Sequence, residues 1–151
     1  MVYKRILVPV DGSPTSMSGL SEALRLAKNQ KARVRLVHIV DEVPIFSSAE
    51  GGLNIEPVIE SLKSGGKRIL ERAAKQAASR GVRPETELFE NATSRVADVL
   101  IARARRWRAD LIVMGTHGRR GVNRLMLGSD AELVVRNSPV PVLLVRAARR
   151  R

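Results

Sequence analysis

Residues 4–14 read Lys-Arg-Ile-Leu-Val-Pro-Val-Asp-Gly-Ser-Pro, a short apolar run that breaks into a turn. The run 4–10 is apolar at consecutive positions, the pattern of a strand buried on both faces, and Asp11-Gly12-Ser13-Pro14 is the turn chemistry that stops it. Ser13 is placed to cap a helix that has Pro14 at its first position. Met17, Leu20, Leu24 and Ala27 then recur at spacings of three and four, which puts them on one helical face. Residues 33–40 (RVRLVHIV) are rich in β-branched side chains and bounded by Asp41-Glu42, so they read as a second strand. Strand, helix and strand in this order make a βαβ unit and imply parallel pairing.

The same reading extends to the rest of the chain. Residues 41–54 (DEVPIFSSAEGGLN) hold a proline, two glycines and two serines with no sustained period, the mark of a long, mobile loop of the kind that carries function. A helix begins near Ile55 and runs through Val58, Ile59, Leu62, Ile69, Leu70, Ala73 and Ala77 to Gly81. Gly65-Gly66 is its weak point, at about 1 kcal/mol per glycine relative to alanine. Residues 84–90 (PETELFE) alternate weakly after a proline, which suits an edge strand. Thr93 or Ser94 can cap a further helix with Val96, Val99, Leu100 and Ala104 inward and Arg103, Arg105, Arg106 and Arg108 gathered near its end. Residues 110–115 (DLIVMG) form another apolar strand. After the loop 116–127, a helix from Ser129 to Arg136 leads through Asn137-Ser138-Pro139 into a last strand, 140–145 (VPVLLV). The alternation of strands apolar on both faces with amphipathic helices predicts an α/β fold, a single open parallel sheet with helices on both sides.

At 151 residues the chain has room for one domain, with no internal repeat and no dividing linker. The absence of cysteine excludes disulfides, Cys-ligated zinc, iron–sulfur clusters and thiol nucleophiles. No apolar run approaches the roughly 18 residues that span a bilayer, and the first residues lack the apolar core and cleavage site of a signal peptide, so the cytosol is the expected address. The net charge is +12, and it is uneven: residues 101–151 hold 12 basic and 3 acidic residues, every basic one an arginine. Arginine suits bidentate capture of phosphate or carboxylate, so an anionic partner is implied: a nucleotide, a nucleic acid or an acidic protein.

In an open parallel sheet, ligands bind outside the carboxyl ends of the strands where strand order reverses. Here those ends supply Asp11-Gly12-Ser13, Val40-Asp41 and Gly115-Thr116-His117-Gly118, the last with two glycines that allow close backbone approach to a ligand. Gly128-Ser129 opens the following helix, whose first N–H groups lack partners and favour an anion. With Arg119, Arg120 and Arg124 between them, the two glycine clusters can converge on a polyphosphate. Neither G-x-x-x-x-G-K-[ST] nor a G-x-G-x-x-G after the first strand is present, so the cradle is of another kind.

Gly115-x-x-Gly118, nine residues, then Gly128-Ser129 resembles the G-x2-G-x9-G-[ST] pattern of the ATP-binding branch of the universal stress protein family. Residues 6–13 (ILVPVDGS) resemble the family's first strand and turn, and 37–41, 110–115 and 138–145 fall at the matching places. The resemblance implies a domain over residues 1–147 with a basic tail at 148–151, a sheet of order 3-2-1-4-5, and ATP, AMP or ADP, with Mg²⁺, in a cleft between the first and fourth strands. It places Pro9 and Asp11 at the adenosine and the backbone of Ile39 at the adenine. It places Gly115, Thr116, His117, Gly118, Arg119, Arg120 and Gly121 around the phosphates, closed by Gly128, Ser129 and the backbone of Asp130 and Ala131. Asp130 stands where many ATP-binding members carry a small or β-branched residue, and a carboxylate beside a triphosphate repels it unless it points away or shares a divalent cation. The resemblance also implies a homodimer through strand 140–145, which an open edge strand would favour.

His38 and His117 are the only histidines, with no second ligand at metal spacing. His38 reads as a satisfied core side chain and His117, beside a glycine, as the candidate ligand contact. Asp11, His117 and Ser129 do not make a hydrolytic triad, because no G-x-S-x-G elbow surrounds Ser129 and a serine at a helix start is commonly a cap. With no placed general base, the expected role is a nucleotide-responsive regulator with slow ATP hydrolysis at most. The alternative is a basic module for nucleic acid or acidic protein that does not use ATP. Tyr3, Phe46, Phe89 and Trp107 are the only aromatics, so nucleic-acid binding would rest on charge.

Overall fold

A computed structural model describes residues 2–49, 51–117 and 126–147. The chain forms β1 (Arg5–Pro9), α1 (Pro14–Gln30), β2 (Arg33–Asp41), α2 (Val43–Ser48) and α3 (Glu56–Ser79), followed by β3 (Glu85–Asn91), α4 (Val96–Trp107), β4 (Leu111–Gly115), α5 (Ser129–Asn137) and β5 (Val142–Val145). The five strands pair in parallel in the order β3-β2-β1-β4-β5. Strand order therefore reverses between β1 and β4, as the resemblance implied.

The strand pleat divides the core in two. Ile6, Val8, Val34, Leu36, Leu111 and Val113 face α1 and α3, whereas Leu7, Val37, Ile112 and Met114 face α4 and α5. The turn after β1 behaves as its residues dictate. Gly12 takes φ +80°, a conformation open to glycine, and Ser13 Oγ accepts from Ser16 N at 3.2 Å to cap α1.

Two expectations are corrected. The loop 41–54 contains a helix, α2, with Pro44 in its first turn; six residues are too few to show a helical period in sequence. Thr93 and Ser94 do not cap α4. Its N-cap is Arg95, and Ser94 is held through its backbone instead, by Asn91 Oδ1 accepting from Ser94 N (3.0 Å) and Asn91 Nδ2 donating to Ser94 O (2.7 Å).

Gly65-Gly66 does not interrupt α3. A Cβ at Gly66 would lie 2.5 Å from His38 Cδ2 and 2.8 Å from Leu88 Cδ1, so the glycine lets the helix settle directly on β2 and β3. His38 is buried, as expected, with Nδ1 2.7 Å from the Val10 carbonyl. β3 and β5 are the sheet edges, and β5 is only half-buried along its length.

Candidate functional site

A cleft of about 970 Å³ opens at the carboxyl ends of the strands. Its wall combines Pro9 at the end of β1 and Asp11 beyond it, Ile39 of β2, Gly115, Thr116 and His117 at the end of β4, and Gly128 to Ala131 at the start of α5. Segments more than 100 residues apart in sequence are thus gathered at the place where strand order reverses. Gly118, Arg119, Arg120 and Gly121 lie outside the described residues, as does Arg124.

The glycines at this site have structural reasons as well. A Cβ at Gly115 would stand 2.6 Å from the Thr15 carbonyl carbon and 2.9 Å from Ser16 N, so it is α1 that approaches here. The first turn of α1 is thereby pressed onto the end of β4, so Gly115 has a packing reason of its own while it also lines the cleft. Gly128 donates its N–H to the Thr116 carbonyl at 2.8 Å, and a Cβ there would meet that same oxygen at 3.1 Å. The strand exit and the start of α5 are locked together by this contact.

Gly128, rather than Ser129, is the N-cap of α5, and no side chain caps that end. The first-turn N–H groups of α5 therefore stand at the cleft without an intrahelical partner, which is the electrostatic condition for holding an anion. Asp130 and Glu132 sit in the same turn, where a carboxylate is favoured by the helix dipole. Asp130 is exposed at the cleft rim.

His117 is occupied within the loop. Its Nε2 donates to the Met126 carbonyl, since a carbonyl can only accept, and its Nδ1 lies 3.0 Å from Thr116 Oγ1. The ring thus joins Thr116 to Met126, and Thr15 Oγ1 donates to the His117 carbonyl. Asp11 is likewise engaged, with Oδ1 accepting from Ser13 N at 2.8 Å. Among the described residues there is no group of three or more His, Cys, Asp or Glu that could hold a metal ion, and no helix long and apolar enough to cross a membrane.

The model of the universal stress protein family matches residues 2–146. The chain belongs to the universal stress protein family. It is similar to "Universal stress protein MJ0531" of Methanocaldococcus jannaschii, at 38% identity over 146 residues, covering 96% of this chain and 83% of that one. A crystal structure of a universal stress protein family member from Burkholderia pseudomallei superposes with a TM-score of 0.80 at 33% identity, covering 97% and 98% of the two chains. The universal stress protein from Archaeoglobus fulgidus, solved in complex with dAMP, matches with a TM-score of 0.67 at 25% identity over 96% and 99%.

This universal stress protein domain also brings residues to the cleft that sequence reasoning did not select. Thr93 and Ser94 enter from the turn after β3, and Ser61, Leu62 and Gly65 from α3. The first pair lies at the carboxyl end of a strand and was open to the same rule that found the others. The α3 residues carried no signal, because their position depends on how closely Gly66 lets that helix approach the sheet.

Proposed function

We propose that this universal stress protein binds an adenine nucleotide, ATP with Mg²⁺ or its AMP and ADP relatives, in the cleft between β1 and β4. The observation that carries the reading is the uncapped N-terminus of α5, opening beside Gly115 and Thr116 into a cleft of about 970 Å³. A cavity of that size is at the upper end of what small-molecule sites occupy. Pro9 and Asp11 border the adenosine, Ile39 offers backbone groups to the adenine, and Gly128, Ser129, Asp130 and Ala131 take the phosphates through α5. Gly118, Arg119, Arg120 and Gly121 complete the cradle by their sequence spacing. The dAMP complex of the Archaeoglobus fulgidus relative supports the choice of base. Mg²⁺ arrives with the phosphates and neutralises their charge beside Asp130.

In this reading the protein is a cytosolic, nucleotide-responsive regulator with slow ATP hydrolysis at most, and it dimerises through the exposed edge of β5. Asp11 serves the turn in this reading, its Oδ1 accepting from Ser13 N at 2.8 Å.

Calorimetric titration with ATP and Mg²⁺ at moderate salt tests the reading, with Gly118→Glu beside the wild type. Saturable heat that disappears in a variant of unchanged circular dichroism is the expected result. A folded wild type that gives no heat with ATP, ADP or AMP would overturn it.

A further inference from the structure

The arginine surplus is not spread evenly over the structure. α4 turns Arg95, Asp98, Ala102, Arg105 and Arg106 to solvent along one face, and Arg108 follows as an exposed C-cap. Arg95 is paired with Asp98 at 3.0 Å, Arg103 with Glu87, and on the neighbouring helix Arg136 with Glu132 at 2.9 Å. Arg105, Arg106 and Arg108 make no ion pair among the described residues. Asp110, the nearest acidic residue in sequence, is engaged elsewhere, accepting from Lys4 N (2.8 Å) and Arg5 N (3.0 Å).

We infer that the outer face of α4, centred on Arg105, Arg106 and Arg108, docks the phosphate backbone of a double-stranded nucleic acid. Three positive charges in four residues outweigh the partial negative charge of about one half at a helix C-terminus. Guanidinium forks match phosphate oxygens in pairs, and arginine at all three positions fits that geometry. The face favours nucleic acid over an acidic protein because its one exposed apolar side chain is Ala102. A protein partner draws its affinity from a buried aromatic or aliphatic anchor, and there is none here to supply it. With no exposed aromatic on the face either, the contact reads backbone and not sequence.

The outer side of α3 provides an internal comparison. It exposes Lys67, Arg68, Arg72 and Lys75, which likewise make no ion pair among the described residues, but Glu71 stands four residues from both lysines on the same helix, a spacing at which an opposite charge lowers the local positive potential. Four residues from Arg105 and Arg106 stand Ile101, Ala102, Ala109 and Asp110, and the one acidic residue among them lies beyond the end of α4, where its carboxylate accepts from Lys4 N and Arg5 N.

The test uses the whole chain and a blunt-ended 20-base-pair DNA labelled at one 5′ end. Its bases are all paired, so none is free to enter the nucleotide cleft. Anisotropy titrations between 50 and 200 mM NaCl give the salt dependence. Three phosphate contacts weaken binding roughly 40-fold over that range, and removing two of them leaves about a 4-fold loss. Arg105→Ala/Arg106→Ala is expected to show the shallow dependence, and Lys67→Ala/Lys75→Ala the steep one of the wild type. Arg105→Gln/Arg106→Gln, which keeps long polar side chains, repeats the test if the alanine pair lowers the melting temperature. An unchanged salt dependence in the arginine variants, an equal loss in the lysine variant, or wild-type binding to poly-glutamate but not to the duplex would each overturn the assignment.

Discussion

The two helices that flank β2 meet it in opposite ways. α3 comes down on one face through Gly66, so closely that no Cβ fits beside His38. On the other face α4 contributes Trp107, a large side chain buried against Leu7, Val37 and Ile112, with the guanidinium groups of Arg5 and Arg35 5.7 and 5.0 Å from its ring centroid. Beyond Trp107 the sheet surface is charged: Arg35 pairs with Glu85 at 2.5 Å and with Glu87 at 3.5 Å, Arg33 pairs with Glu85, and Arg103 of α4 pairs with Glu87. One face is closed by removing a side chain and the other by adding a large one and roofing the remainder with ions. The apolar cluster on this face takes residues of β1, β4 and β5 with α4 and α5, while β2 and β3 present Arg33, Arg35, Glu85 and Glu87 beside it.

Truncating the large side chain should have the greatest effect. Trp107→Ala removes the ring that fills this face and supports two guanidinium groups, and it should destabilise the domain by about 4 kcal/mol in urea unfolding. A loss below about 1 kcal/mol would show that the ion cluster holds this face unaided.

The two adjacent glycines of α3 sharpen the contrast. Gly66→Ala must displace His38 and Leu88 and should cost about 2 kcal/mol despite the better helix propensity. At Gly65 a Cβ meets only the end of the Arg68 side chain, 3.8 Å away, so Gly65→Ala should raise stability by up to about 1 kcal/mol. Paired thermal melts that shift in the same direction would refute the close approach of α3.

The smallest effect belongs to the ionic roof. Hydrogen bonding from Arg35 holds the Glu85 carboxylate below its ordinary value against the opposing push of burial, and a smaller hydrogen bond from Arg33 adds to the lowering. A carboxylate lowered in the folded state contributes stability above its unfolded value of about 4.5, and that contribution fades as pH falls through its folded value. Glu85→Gln should therefore cost under about 1 kcal/mol at pH 7, for a group a third exposed. The variant should lose less stability than the wild type as pH falls from 5 towards 3, and parallel acid limbs would count against the pairing.

Much of the site was legible because strand ends announce themselves. Asp11-Gly12-Ser13 and Gly115-Thr116-His117 each close an apolar run, and the topology of a parallel sheet places such ends together. The roles within the site were less so. His117 reads as a ligand contact in sequence, whereas its ring spans Thr116 and Met126. Gly115 reads as room for a phosphate, and the structure adds that its missing side chain makes room for α1.

The sequence by itself determined the order of elements apart from α2, the parallel sheet and its two buried faces, because hydrophobic period and turn chemistry are local properties. It also determined that the positive charge lies in the last third of the chain. Only the tertiary structure decided which arginines are spent on partners. Arg35 and Glu85 are 50 residues apart and meet because β2 and β3 pair in the register Arg35↔Glu85, while Arg105 and Arg106 face solvent because α4 buries its opposite side. Charge is written in the sequence, but its neutralisation depends on distances of a few ångströms that only the packed sheet and helices set.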